Sequence, residues 1–238
     1  MEILAGDRWD DTENCIYLLY AKFSEIMTRT IINIMTVSTM ALIASSCCGS
    51  GEKAQATEGI TSQAMETIMA RRSIRAYKSV PVSRDTLDAV LRCGINAANA
   101  MNRQSWEIRV VDNARQIDDV TREFVRVNPK MAEAPGFVNM FRNAPVVIFV
   151  ANATDSGMSQ IDCGLLGGNI MIAATSLGLG TCCLGGPVAF LKTDDGRFFL
   201  DRLGFSEGYE LLYAIAIGYP AESPDAKPRD TSKIRYVF

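Results

Sequence analysis

The stretch Arg71-Arg72-Ser73-Ile74-Arg75-Ala76-Tyr77 gathers three guanidinium groups and a hydroxyl within a few residues. A phosphomonoester carries about −1.5 to −2 charges near neutral pH. Holding one out of bulk water takes several donors that converge from different parts of a chain. Arginine forks and a serine hydroxyl suit that task. Lys227 and Arg229 form a second basic pair far along the sequence. If the fold closes the two clusters on each other, they enclose one phosphate. Read alone, the first cluster is more often the sequence of a solvated helix end.

Other chemistries are excluded or unsupported. The chain has no histidine, so a Ser-His-Asp triad, a Cys-His pair and any histidine metal site are impossible. Its seven cysteines contain no C-x-x-C, which leaves zinc ribbons and thioredoxin-type redox motifs without a basis. Their odd number and adjacent pairs suit a disulfide framework poorly, and Cys182–Cys183 reads as small buried filler. Acid–base options reduce to carboxylates, Lys, Tyr, Cys and water. Asp194–Asp195, beside Gly196, reads as a loop rather than a hydrolase pair. No catalytic side chain and no metal site is expected, and the hard step falls to a borrowed cofactor. Lys plus Arg is 24 against 27 for Asp plus Glu, a net charge of −3. That balance argues against a nucleic-acid binder. No G-x-G-x-x-G follows a strand, and no P-loop occurs.

The elements that must position these groups follow from periodicity. Hydrophobic residues make up 48% of the chain, enough for one core of ordinary size, and no repeat of fixed period is visible. Met65–Ala70 reads as a helix running into Arg71. Pro81 breaks the chain and Ser83 can cap a helix bearing Leu87, Val90, Leu91 and Ile95. Trp106–Asp112 alternates like a strand. Asn113 can cap a helix with Ile117, Val120 and Phe124 on one face. Ala144–Asn152 and Glu210–Pro220 are apolar runs of strand character. Asp162–Gly180 is apolar nearly all round, the signature of a buried helix. Its glycines and alanines suit core packing or a subunit interface. Between the elements, Asn99–Trp106 offers amides that can bind a flat heterocycle edge-on, and Leu184–Pro187 offers a glycine pair that a ligand face can approach.

The front of the chain reads as an address. Arg29 is followed by the apolar stretch Ile31–Ala44, shorter than the about 20 residues of a membrane span. Small residues then precede Cys47, and polar, glycine-bearing sequence follows. The order is that of a secretory signal peptide, and the cysteine makes it resemble a bacterial lipoprotein signal, with Cys47 or Cys48 as the lipidated residue. The bland alternative is a buried helix with a chance cysteine. Residues 1–26 carry Asp7, Asp10, Asp11 and Glu13 where a leader should be basic. They are either an extension upstream of a true start at Met27 or a real segment that puts export in doubt. The expected organisation is an extension 1–26, a leader 27–47, a tether 48–64 and a folded domain 65–238.

Taken in order, "RRSIRAY", "PVSRDTLDAVL", "NAMNRQSWEIRVV", "NAPVVIFV", "SLGLGTCCLGG" and the terminal "KPR" resemble the nitroreductase family of flavoproteins. The resemblance covers about Met65 to Phe238. It implies an α+β fold with a central mixed sheet flanked by helices, an intertwined homodimer, and FMN in clefts at the interface. It implies that Arg71, Arg72, Ser73, Arg75, Lys227 and Arg229 hold the FMN phosphate and ribityl chain. Asn102 and Gln104 would meet the ribityl or isoalloxazine, and Gly185 and Gly186 would pass near the ring. Electrons would move from NADH or NADPH to a flat acceptor such as a nitroaromatic or a quinone. The chain departs from the family at Ala98–Asn99, where Pro-Ser is usual, and at Ser105, where Pro is usual. Two other readings stay open: a different flavin chemistry on the same fold, such as reductive dehalogenation or oxidation, and a lipid-tethered binding protein without activity. An envelope address would place an enzyme where nicotinamides are scarce, so another electron donor would then be needed.

Overall fold

The computed structural model describes Lys22 and residues 62–238. The expected extension 1–26, leader 27–47 and tether 48–64 lie outside the described residues, apart from Lys22 and the three residues from Ser62 to Ala64. Those three already belong to the fold. Helix α1 is Gln63–Ala70, and the Ser62 side chain accepts from the N–H of Met65 at its start. No helix among the described residues is long and apolar enough to cross a membrane.

The remaining elements follow the periodicity closely. Helix α2 is Arg84–Ile95, capped by Ser83, which accepts from Thr86 N–H. A cap of this kind is worth about 1 kcal/mol. Strand β1 is Trp106–Val111. Helix α3 is Ala114–Val127, capped by Asn113, and a short turn α4, Pro129–Ala132, follows. Strand β2 is Val146–Ala153, helix α5 is Ser159–Ser176 and strand β3 is Gly180–Leu184. Helices α6, Gly186–Leu191, and α7, Asp194–Leu203, lead to strand β4, Tyr209–Gly218.

Two expectations are corrected here. The apolar run Asp162–Gly180 is not one helix: α5 ends at Ser176 and β3 begins at Gly180. Gly178 at φ 74° turns the chain, and Leu179 N–H bonds back to Ala174 O at 2.9 Å. Thr175 and Ser176 are the only polar residues at the change, and the glycines and apolar residues on either side are alike, so the strand is hidden in the helix's own composition. Asp194–Asp195 is not a loop but the first turn of α7, where Thr193 accepts from Gly196 N–H. Negative charge there complements the helix N-terminus.

Among the described residues the sheet has four strands in the order β1-β2-β4-β3. All three pairings are antiparallel, and the parallel component is a single bridge between Ser73 and Thr181. Helices cover both faces, the expected α+β layering. Strand β2 is buried along its whole length, so its alternate residues feed two cores. Val147 and Phe149 face Ile117, Phe141, Phe190 and Leu191 on the side of α3, α6 and α7. Val146, Ile148 and Val150 face Val90, Leu166 and Ile170 on the side of α2 and α5. Helix α5 lies close against α2 because a Cβ at Gly94 would meet Ile170. Its other side leaves Ile161 and Leu165 exposed.

Candidate cofactor site

The segment after α1 is extended and pinned to the sheet. Ile74 N–H donates to Thr181 O at 2.9 Å, and Lys78 N–H to Tyr219 O at 2.8 Å. A Cβ at Gly180 would fall 2.7 Å from Ile74 Cγ1, so glycine is what lets the segment lie against β3. The buried Tyr77 hydroxyl donates to Ile74 O at 2.7 Å, and burial raises its pKa well above the ordinary phenol value. Such a phenol stays a neutral donor. With Ile74 and Tyr77 turned into the core, Arg75 between them is left on the outer side.

The chain returns to the same place from β4. Ala221 N–H donates to Ala76 O at 2.9 Å, and Glu222 accepts the Arg75 N–H. Beyond it the tail folds over to make the second wall of a cleft of about 400 Å³. Arg71, Arg72, Ser73 and Arg75 line one wall, and Lys227 and Arg229 with Pro224 and Asp225 line the other. The guanidinium groups lean on nearby carbonyls: Arg72 on Met69 O at 2.6 Å, Arg75 on Ser73 O at 3.2 Å and Arg229 on Lys227 O at 3.1 Å. Among the described residues, none of these cations is in an ion pair, while other arginines pair with Asp or Glu. With five cations and one carboxylate, Asp225, in its lining, the cleft carries a net positive charge that suits a multiply charged anion.

The other candidate residues sit elsewhere. Gly185 and Gly186 join β3 to α6, and a Cβ on either would meet nothing within 4 Å. Space therefore stands open over that backbone. Thr181, beside Ser73, precedes Gly185 on one strand, so the cationic cleft and the glycine pair are separated by about 13 Å of extended chain. Asn102 and Gln104 lie on the connection from α2 to β1. Because β1 and β3 are opposite edges of the sheet, about three strand spacings, roughly 14 Å, divide that loop from the glycine pair. Thus the cleft unites Arg71, Arg72, Ser73, Arg75, Lys227 and Arg229. Asn102, Gln104, Gly185 and Gly186 are outside its lining.

The Asn102 loop is conformationally special. Met101, Asn102 and Gln104 all have φ near +50°, each a left-handed residue costing on the order of 1 kcal/mol outside glycine. Asn99 Oδ1 accepts the Gln104 N–H at 2.9 Å, and Asp162 Oδ1 accepts the Ala100 N–H at 3.1 Å. Backbone strain of this kind persists only where neighbours over-determine it. The sequence reading passed over Asn99, Asp162 and Glu222 as site supports. The available signal for Asp162 was a lone acid opening an otherwise apolar run.

Of the adjacent cysteines, Cys182 is buried and Cys183 is exposed, because strand neighbours face opposite sides of a sheet. Filler describes Cys182 only. Cys163, on α5, is buried with its thiol pKa pushed up to about 12 by burial, assisted by the charge of Asp162.

The nitroreductase family model matches residues 68–219. A relative from Vibrio harveyi, an NADPH-flavin oxidoreductase, is 27% identical over 172 residues, covering 69% of this chain and 69% of its own. A nitroreductase with bound FMN from Desulfitobacterium hafniense superposes with a TM-score of 0.67 at 28% identity, over 75% of this chain and all of the other. One from Bacteroides fragilis, also with bound FMN, gives 0.65 at 27% identity over 75% of this chain and all of the other.

Proposed function

Because this chain belongs to the nitroreductase family, we propose that it binds FMN and passes electrons from NAD(P)H to a flat acceptor such as a nitroaromatic or a quinone. The observation that carries this reading is the cleft in which Arg71, Arg72, Ser73 and Arg75 meet Lys227 and Arg229, five cations against the one lining carboxylate of Asp225. Two further features fit the group. The open space above Gly185 and Gly186 admits a ring against backbone, and the strand between cleft and glycines provides a separation for the ribityl chain to cross.

Bound there, FMN supplies two-electron chemistry that none of the side chains supplies. The chain's own residues bind and orient. The cations would neutralise the phosphate, Ser73 would add a hydroxyl donor, and the open backbone at Gly185 and Gly186 would let the ring come close. Asn102 and Gln104 present amides to the ribityl or the ring edge. No side chain acts as nucleophile, and solvent supplies protons.

The reading extends to a homodimer. Ile161 and Leu165 on α5, Leu177 just past its end, Ile68 and Met69 on α1, and Ile234, Tyr236, Val237 and Phe238 in the tail are exposed apolar groups. A second copy would cover them. It would also bring a second Asn102 loop toward the glycine pair that the first loop stands apart from across the sheet. The reading further includes export on a lipid anchor at Cys47 or Cys48, for which the leader pattern from Arg29 to Cys48 is the support. The address and the NAD(P)H donor are alternatives: in the envelope, where free nicotinamide is scarce, another carrier would reduce the flavin.

The test is an absorbance spectrum of the purified chain, repeated after anaerobic addition of NADH and then NADPH. Flavin bands that bleach, and that return on adding a quinone or nitroaromatic, are the expected result. A colourless protein that takes up no added FMN would overturn the reading in favour of a binding protein. Bound flavin that neither nicotinamide reduces would favour another donor and another flavin chemistry.

A further inference from the structure

Asp162 is the only buried carboxylate among the described residues, at 1% exposure. It stands in the first turn of α5. Its Oδ1 accepts the Ala100 N–H at 3.1 Å, and its Oδ2 is buried with no partner. Placing a carboxylate there is expensive, and the core beside it is apolar, so packing alone does not account for it. The next residue grips the other end of the same loop. Cys163 Sγ lies 3.8 Å from Ser105 O and 3.7 Å from Ala151 O. The Tyr213 hydroxyl, in turn, donates to the Cys163 carbonyl. The loop between Ala100 and Ser105 contains the left-handed residues Met101, Asn102 and Gln104. Inside it, the Asn99 side chain ties down Gln104 N–H.

We infer that Asp162 is a positioning residue that holds the Ala100–Gln104 backbone in its left-handed form, and so fixes where the Asn102 and Gln104 amides point. The inference rests on the reading of those two amides as cofactor contacts. The physical reason is local. Those backbone conformations are each uphill, and the loop's own bonds are few. The Ala100 N–H opens the strained turn, five residues beyond the end of α2, and its partner Asp162 belongs to a rigid element, α5. Freed from Asp162, Ala100–Gln104 relaxes toward ordinary backbone angles and the amides lose their aim. An asparagine keeps an acceptor oxygen for Ala100, so the conservative variant should preserve the loop.

The experiment uses the full chain with Asp162→Ala and Asp162→Asn. Amide hydrogen exchange is followed by mass spectrometry in peptides spanning residues 97–106, first without flavin. FMN and riboflavin affinities are then measured by flavin fluorescence. Asp162→Ala should speed exchange in 97–106 about tenfold or more while β2 and β4 peptides keep wild-type protection, and should weaken FMN and riboflavin about equally, near tenfold, the scale of a hydrogen bond to a charged acceptor. Asp162→Asn should restore both readouts to within about threefold, because its oxygen still accepts from Ala100. Unchanged exchange in 97–106, or loss of protection across the sheet as well, would overturn the inference. So would an asparagine variant as impaired as the alanine one. If the wild-type chain binds no FMN, the proposed cofactor fails, while the exchange arm still decides whether Asp162 holds the loop.

Discussion

Glu222 accepts the backbone N–H of Arg75 from a position 147 residues further along the chain. This bond sets the tail against the Arg71–Arg75 segment and so decides that Lys227 and Arg229 face Arg71 and Arg72. It also puts a negative charge beside a cationic cleft, and the two effects oppose each other. Glu222→Gln keeps the acceptor and removes the charge, so FMN should bind at least as tightly as to the wild type. Glu222→Ala frees the tail and should weaken FMN about tenfold, the lower end for a charge-assisted bond. Fluorescence titration separates the two, and equal affinity for both variants would sink the clamp.

Arg71→Ala and Lys227→Ala should each lower FMN affinity by about 10- to 100-fold, the range for a lost bond to a charged partner. Riboflavin, which lacks the phosphate, should bind both variants as it binds wild type. The wild-type preference for FMN over riboflavin should also shrink as salt rises, because the cations are accessible to ions. Equal losses for both ligands would place these residues somewhere other than the phosphate.

The glycines divide into two kinds. A Cβ at Gly196 would lie 2.7 Å from Leu191 Cα, so Gly196→Ala should cost about 1–3 kcal/mol by overpacking and lower Tm. A Cβ at Gly185 or Gly186 would touch no protein atom within 4 Å. Gly186→Ala should therefore leave the Tm of the flavin-free protein unchanged or higher, since alanine is favoured over glycine in helices by about 1 kcal/mol. It should nonetheless cut flavin affinity. An alanine variant that binds FMN normally would remove the ring from this backbone.

Alkaline pH offers a test of the core. The Cys163 thiol is held up near a pKa of about 12, against an ordinary 9.0, first by burial and then by Asp162. The folded state thus keeps a proton that the unfolded chain gives up. Its contribution is complete below pH 9 and is lost as pH climbs toward 12, at up to about 1.4 kcal/mol per unit. Tyr77 and Tyr213 are shifted in the same direction by burial. Urea melts at successive pH values above 9 should show falling stability, with a shallower fall in Cys163→Ala. Identical slopes would show that the thiol does not titrate in this window.

Charge and period carried most of what could be read in advance. The helices at Leu87–Ile95 and Ile117–Phe124, and the strand at Ala144–Asn152, were legible because one face or both faces of each is apolar. The two basic clusters line one cleft, but neither cluster alone differs from the sequence of a solvated helix end. What escaped notice has a common cause. Strand β3 shares its glycine and apolar character with the helix before it, so no contrast marked the boundary. Asp194–Asp195 reads as a loop by itself, and only Thr193, which caps the helix, marks it as a first turn. The left-handed angles at Met101, Asn102 and Gln104 fall on residues that do not require them. Asp162 gains its meaning from Ala100, 62 positions away, and pairings of that kind exist only once the chain has folded.

The crowd of positive groups between Arg71 and Arg229 has a consequence for the life of the protein. Like charges held side by side repel, and a dianion arriving among them would remove that penalty, so occupancy would raise the unfolding free energy as well as enable turnover. A vitamin shortage would then act on abundance: the empty chain, less resistant to proteases, would be cleared rather than stored idle.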